Sequence, residues 1–269
     1  MSVPQRLMKI FSWNCRGISR PSAIRCLRVL IHDNRPEILF LFETKSPLSL
    51  VSSILNQLGF FSMSHVAPTS SSGGLVLAWL ASIDLECFIS NQNNITAWCF
   101  FDPPVSPWIL FCIYGPLSTK DKFKFWDSLT SVGENFVSPW LCIGDFNFVL
   151  DQSKKLGGRL VARSSSCPFR NFIDQIGLIN LGFVGNPYTW CNNRKGFTTI
   201  KERLDRSLAS PSWINLHPEF SILHLPACSF DHNPITLDIA FPSPFLHRPF
   251  RFEAFWTKDP SCGLVISSA

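Results

Sequence analysis

Paired cysteines are missing from this chain. Its ten cysteines stand singly, with no Cys-x-x-Cys pair and no Cys/His cluster at the spacing of a zinc site, so neither a disulfide framework nor a zinc site of that kind is expected. Cys99, Cys112 and Cys142 fall inside apolar runs and read as reduced, buried thiols. A membrane-length apolar run is missing as well. The longest, 74–81 and 108–114, are far too short to cross a bilayer and read as buried strands. The start of the chain has no extended apolar core of the signal-peptide kind; the expectation is a soluble, intracellular protein with no membrane association. No internal repeat is visible, and nothing resembles a linker before the proline-rich stretch after about Phe241. One domain over 1–240, followed by a short tail over 241–269, is the simplest division. Charge is scarce and nearly balanced: 24 Lys and Arg against 19 Asp and Glu give +5, too mild to identify a partner.

What the chain does have is apolar residues, 46% of 269, enough for a large core. Short strand-like runs alternate with amphipathic segments. Strands are expected at 8–13, 37–43, 75–81, 84–90, 95–102, 108–114, 139–145, 187–191, 198–205, 219–225 and 234–239. Helices are expected at 22–33, 47–58, from Ser118 or Thr119 to about Val132, at 166–177 with Gly177 as its stop, and briefly at 207–216. Phe123, Trp126 and Leu129 share one face of the third helix, and Phe169, Phe172, Ile173 and Ile176 one face of the fourth. Two serine tracts, 70–72 and 164–166, read as surface loops. So many strands with helices between them imply an α/β fold in four layers, two packed sheets with helices outside.

Polar residues are concentrated at the ends of these strands. Gly144-Asp145-Phe146-Asn147 follows the apolar run 140–143; Asn14 follows 8–13; Glu43 follows 38–42; Asp205 and the pair Asp231-His232 occupy similar places. Strand ends that converge on one sheet edge bring carboxylates, amides and an imidazole into one pocket, the donor set of a Mg2+-assisted phosphoester hydrolase. Taken singly, each has a bland explanation: a strand-end Glu is usually a solvated cap, Asn a turn former, and Gly-Asp-x-Asn a turn. Placed after a fully apolar strand, the last motif reads instead as extended, with Asp145 and Asn147 on one side and Phe146 in the core.

In order along the chain, Trp13-Asn14-Cys15-Arg16-Gly17, Leu41-Phe42-Glu43-Thr44-Lys45, Ser72-Gly73-Gly74-Leu75, Tyr114-Gly115-Pro116, the segment 139–147, Tyr188-Thr189-Trp190, Glu202-Arg203-Leu204-Asp205-Arg206 and Asp231-His232-Asn233-Pro234-Ile235 resemble the endonuclease/exonuclease/phosphatase superfamily. This superfamily has a DNase I-like fold of two mainly antiparallel sheets flanked by helices. The likeness is nearest to the apurinic-endonuclease-like domain of plant LINE-type (non-LTR) retrotransposons, and it covers roughly 8–240. The segment 250–256 is similar to the connector that follows that domain, so the chain reads as an endonuclease unit detached from a reverse transcriptase.

The resemblance implies a DNA endonuclease that uses Mg2+, or Mn2+, to nick one strand and leave a 3′ hydroxyl, with DNA as partner, no obligate protein partner, and a nuclear location if it acts on chromosomes. It implies Glu43, with Asn14 and Asp231, at the metal; Asp145 orienting or deprotonating the attacking water; Asn147, Tyr114 and His232 on the phosphate; Asp205 fixing His232; and Thr189 and Arg16 as substrate contacts. The other five histidines read as structural. Two departures stand out. Phe230 replaces the family's serine before Asp231, placing a ring where a hydroxyl is expected, and Ser229 would point to the opposite face of an extended segment. Arg16 stands where some members carry an acid, which bears on any second metal. A folded but catalytically impaired remnant and a phosphatase built on the same core are the alternative readings.

Overall fold

The computed structural model describes residues 8–69, 73–101, 105–134, 138–161, 167–226 and 230–239. The two serine tracts, Ser229 and the tail beyond 240 lie outside these. The first half runs β1 (Met8–Asn14), α1 (Pro21–Asn34), β2 (Ile38–Phe42), α2 (Leu48–Asn56), β3 (Ser62–Val66), β4 (Leu75–Trp79), β5 (Asp84–Ser90), β6 (Asn94–Phe101) and β7 (Val105–Tyr114). Next come α3 (Thr119–Gly133), β8 (Trp140–Asp145), β9 (Lys155–Leu156), α4 (Cys167–Ile176), β10 (Ile179–Asn180) and β11 (Val184–Gly185). The described residues close with β12 (Trp190–Cys191), β13 (Lys201–Glu202), β14 (Asp205–Ala209), α5 (Pro211–Leu216), β15 (Phe220–His224) and β16 (Ile235–Ile239). Among the described residues no helix is long and apolar enough to cross a membrane.

The strands form a seven-stranded sheet in the order β11-β15-β16-β1-β2-β4-β3, a six-stranded sheet in the order β10-β14-β8-β7-β6-β5, and a small three-stranded sheet β12-β13-β9. Pairing is antiparallel except at β1–β2, β7–β8 and β11–β15. Side-chain alternation explains the layering. Ile38, Phe40 and Phe42 face one core while Leu39 and Leu41 face another; Trp108, Leu110 and Cys112 share the first core while Ile109, Phe111 and Ile113 face a third. The shared core lies between the two sheets. The second packs the seven-stranded sheet against α1 and α2, and the third packs the six-stranded sheet against α3 and α4. The apolar runs of the sequence are continuous because both faces of each central strand are covered, and the four-layer α/β sandwich follows.

Ser118 caps α3 through its hydroxyl, which accepts the Asp121 N–H at 3.2 Å, and Gly177 ends α4 with a φ of 72°. Phe123 departs from its expected face and is exposed, while Trp126 and Leu129 are buried. The larger correction concerns 198–216. No single strand fills 198–205, and 207–209 is not helical: Asp205–Ala209 is a fully buried strand, in antiparallel register with β8 from Asp205↔Asp145 to Ala209↔Leu141. Pairing with a central strand outweighs local helical preference there. Asp205 therefore begins its strand, and the antiparallel pairing sets that beginning beside the end of β8. The short strands β3 and β9–β11 have no counterpart in the sequence reading.

Candidate active site

Alternation carries the site residues to one edge. Asn14 continues the inward face of β1 after Ile10 and Ser12; Tyr114 continues that of β7; Asp145 continues that of β8 after Leu141 and Ile143. Parallel register places Tyr114 beside Asp145 and Asn14 beside Phe42. Glu43 would fall on the outward face were β2 to run on, but its φ of 52° leaves the extended region and breaks the alternation. Gly144 has a φ of 136°, and a Cβ there would lie 2.0 Å from the Ile113 carbonyl oxygen, so the tight β7–β8 pairing beneath Asp145 requires glycine.

Two clusters result. In the first, His232 Nδ1 lies 3.2 Å from Asp205 Oδ2 and 4.0 Å from Asp145 Oδ2, with all three side chains buried. Asp145 Oδ1 accepts the Asn147 N–H at 2.7 Å. Burial, reinforced by the charge of Asp205, pushes the Asp145 carboxyl well above the usual carboxylate range. Burial alone would depress His232, but the adjoining Asp205 carboxylate outweighs it and lifts the imidazole to about 8. The Nδ1–Asp205 contact fixes the ring orientation.

In the second cluster, Glu43 Oε1 accepts from Asn14 Nδ2 at 3.1 Å and from the Tyr114 hydroxyl at 3.0 Å. Its Oε2 faces Lys45 Nζ at 3.1 Å and Arg16 Nε at 3.7 Å. Arg16 reaches on to Asp231 Oδ2 at 2.7 Å, and Trp190 Nε1 donates to the same oxygen at 3.4 Å. Burial would raise Glu43, but the Asn14 amide, Arg16 and Lys45 together hold it below the usual range. Burial and the neighbouring Glu43 push the Tyr114 phenol upward. The dipeptide Asp231-His232 joins the clusters: one side chain enters each, and an isolated bridge between His232 and Trp190 holds the backbone.

The structure thus gathers Asn14, Arg16, Glu43, Tyr114, Asp145, Asn147, Thr189, Asp205, Asp231 and His232 at one end of the sandwich. Two of them, Asn147 and Thr189, and the neighbouring Phe230 are arranged otherwise than expected. Gly144-Asp145-Phe146-Asn147 does not stay extended: Asn147 has a φ of 50° and closes a turn on Asp145, because an Asp side chain readily captures the N–H two residues on. Phe146 is nevertheless in the core. The Asn147 amide donates to the Gly115 carbonyl at 2.7 Å. Thr189 is fully buried, and its hydroxyl oxygen accepts the N–H groups of Leu204 and Asp205 at 3.0 and 2.9 Å; it holds Asp205 in place. Phe230 packs edge-on to Trp13, with ring centroids 5.1 Å apart, and joins the apolar cluster under α1 and α2.

Lys45, Trp190 and Lys122, whose ammonium donates to the Asn147 carbonyl at 2.8 Å, were not singled out as site residues from sequence. Lys45 and Trp190 each stand in a motif with a named site residue, and Lys122 has no such signal. The donor chemistry fits a hard divalent cation. Glu43 and Asp231 supply carboxylate oxygens at the edge, and ligand atoms of Asp145, Asp205 and His232 lie within 4.8 Å of one another. Arg16 and Lys45 compete with such a cation for Glu43.

The chain matches the endonuclease/exonuclease/phosphatase family over residues 11–261 and belongs to it. No curated protein sequence matches it. Among solved structures, an AP endonuclease from Leishmania major is similar at 16% identity and a TM-score of 0.68, over 90% of each chain. A 3′ phosphatase from Neisseria, bound to a product DNA hairpin, is similar at 19% identity and a TM-score of 0.66, over 87% of this chain and all of that one. The endonuclease domain of TRAS1, a telomere-specific non-LTR retrotransposon, is similar at 13% identity and a TM-score of 0.61, over 88% of this chain and all of that one. At these identities the likeness establishes the DNase I-like fold.

Proposed function

We propose that this protein is a Mg2+-dependent DNA endonuclease of LINE-type retrotransposon descent that hydrolyses one strand to leave a 3′ hydroxyl. The observation that carries the reading is the buried group Asp145–His232–Asp205 beside Glu43 and Asp231: a candidate base, a cationic imidazole and two carboxylates bridged by Arg16 at one sandwich edge. Bound at Glu43 and Asp231, a divalent cation would supply Lewis-acid stabilisation of negative charge on the phosphate. The chain's own residues do the rest. Asp145, whose carboxyl is raised toward neutrality, takes a proton from the attacking water. His232, held by Asp205, presents a charged imidazole to the phosphate oxygens. The Tyr114 hydroxyl, between Glu43 and Asp145, and Asn147 at its turn limit the positions a phosphate can take. Relatives named for AP sites, for a DNA hairpin product and for a retrotransposon support DNA as the substrate.

Supercoiled plasmid tests this reading directly. Purified protein is expected to convert it to the nicked circle with Mg2+ or Mn2+ and not in EDTA, and undiminished nicking in EDTA would overturn the metal mechanism.

A further inference from the structure

The Glu43 cluster carries charge compensation that the reaction just proposed does not use. Two carboxylates, Glu43 and Asp231, already face two cations, Arg16 and Lys45. Among the described residues Arg16 alone forms ion pairs with both acids, and so spans the gap between the oxygens assigned to the metal. Its grip is uneven: 2.7 Å to Asp231 but 3.7 Å to Glu43, with Nε buried and without a hydrogen-bond partner. The side chain is 36% exposed, so a route to solvent is open. The backbone is pinned, by contrast. Arg16 N–H donates to Asn14 Oδ1 at 3.2 Å, and the N–H groups of Gly17 and Ile18 donate to the carbonyls of Glu43 and Thr44 at 2.8 and 3.0 Å. Any displacement therefore belongs to the side chain.

A divalent cation entering while both side chains stayed would set four positive charges against two negative ones, so one must leave. Lys45 is paired with Glu43 alone and leaves Asp231 untouched; Arg16 blocks both ligands. A guanidinium is also the group best shaped to grasp a phosphodiester, whose two free oxygens match its forked donors.

We propose that Arg16 is a displaceable internal counter-ion: in the protein free of nucleic acid it bridges Glu43 and Asp231 in place of a divalent cation, and a phosphodiester draws it away. Metal and nucleic acid then bind cooperatively, because the displacement that each requires is made once for both. The proposal rests on the placement of the metal at Glu43. It makes the free protein a poor metal binder whose site is completed on the substrate.

The test measures Mn2+ binding to the full, DNA-free chain by electron paramagnetic resonance. Arg16→Gln is expected to bind Mn2+ at least about tenfold tighter than the wild type, and Arg16→Gly, which accommodates the φ of 47° at this position, is expected to do the same. Concordance between the two guards against misfolding of either. Glu43→Gln should lose the binding. The second arm measures the affinity of a labelled short duplex by fluorescence anisotropy in Ca2+ and in EDTA. Ca2+ should tighten wild-type binding several-fold, and Arg16→Gln should lose most of that gain. Mn2+ affinity unchanged or weaker in both Arg16 variants, with Glu43→Gln still binding-deficient, overturns the counter-ion and leaves the metal placement standing. An undiminished Ca2+ gain in Arg16→Gln overturns the displacement by phosphate. Mn2+ binding that survives Glu43→Gln removes the metal placement, and the proposal with it.

Discussion

The Asp145–Asp205–His232 cluster and the Glu43–Asp231 cluster meet at one dipeptide yet balance charge in opposite ways. In the first, two buried carboxylates share a titratable imidazole, so protonation decides the net charge, and burial and repulsion raise Asp145. In the second, the Asn14 amide together with the charges of Arg16 and Lys45 outweighs burial and holds Glu43 low. The first is a place where protons can move at neutral pH; the second is one where carboxylates stay charged against bound cations. A phosphodiester hydrolase needs both: a base that can accept a proton, and a carboxylate that stays charged.

The largest expected effect breaks the first cluster. Asp145→Ala and His232→Ala should each lower plasmid nicking on the order of a hundredfold to a thousandfold or more, while duplex affinity changes far less, because each acts on charge that appears only in the transition state. Wild-type nicking rates in either variant would remove the assignment of this cluster to catalysis.

A smaller effect tests whether the Phe230 departure reaches either cluster. Since the ring packs against Trp13 in the cluster under α1 and α2, Phe230→Ser should cost about 2–3 kcal/mol through the cavity it leaves, lowering Tm without raising the nicking rate. A faster serine variant at equal folded fraction would show that the ring obstructs the site after all.

How much of this was legible beforehand differs between the clusters for a physical reason. Apolar runs that end in a polar residue mark Asn14, Glu43 and Asp145 as strand ends able to converge on one edge, whereas Tyr114 is named only through the family motif. Backbone reversals are not periodic. The left-handed turns at Glu43 and Asn147 therefore escaped, and with them the Asp145–Asn147 turn. Asp205 was found as a residue but placed at the wrong end of its strand, because only the long-range pairing with β8 shows that Asp205–Ala209 is extended. The motifs located the residues. They did not show that Thr189 serves the backbone of Asp205, nor that Arg16 spans two acids, since such contacts join segments far apart in the chain.

The finest test applies one chemical change, carboxylate to amide, to each cluster and reads stability. Burial and the neighbouring Asp205 push the Asp145 carboxyl from 3.8 up to about 7, so the folded state disfavours its ionised form. That penalty is absent below pH 3.8, accumulates between there and about 7, and is complete above. Asp145→Asn removes the charge and keeps an oxygen for the Asn147 N–H, so at pH 8 it should raise stability by about 1–2 kcal/mol, a few degrees in Tm. Glu43 is shifted the other way, below 4.5, so its contribution is stabilising above that pH and is lost as pH falls through its folded value. Glu43→Gln strips Arg16 and Lys45 of a partner and should lower stability by about 1 kcal/mol, a size suited to a pair whose cations are partly exposed. Thermal melts at pH 8 and pH 4 would then show opposite signs at the higher pH and a smaller difference at the lower. Two destabilised variants at pH 8 would mean that Asp145 is held ionised by His232 as firmly as Glu43 is by its cations, and the distinction between a half where protons move and a half where carboxylates stay charged would fall.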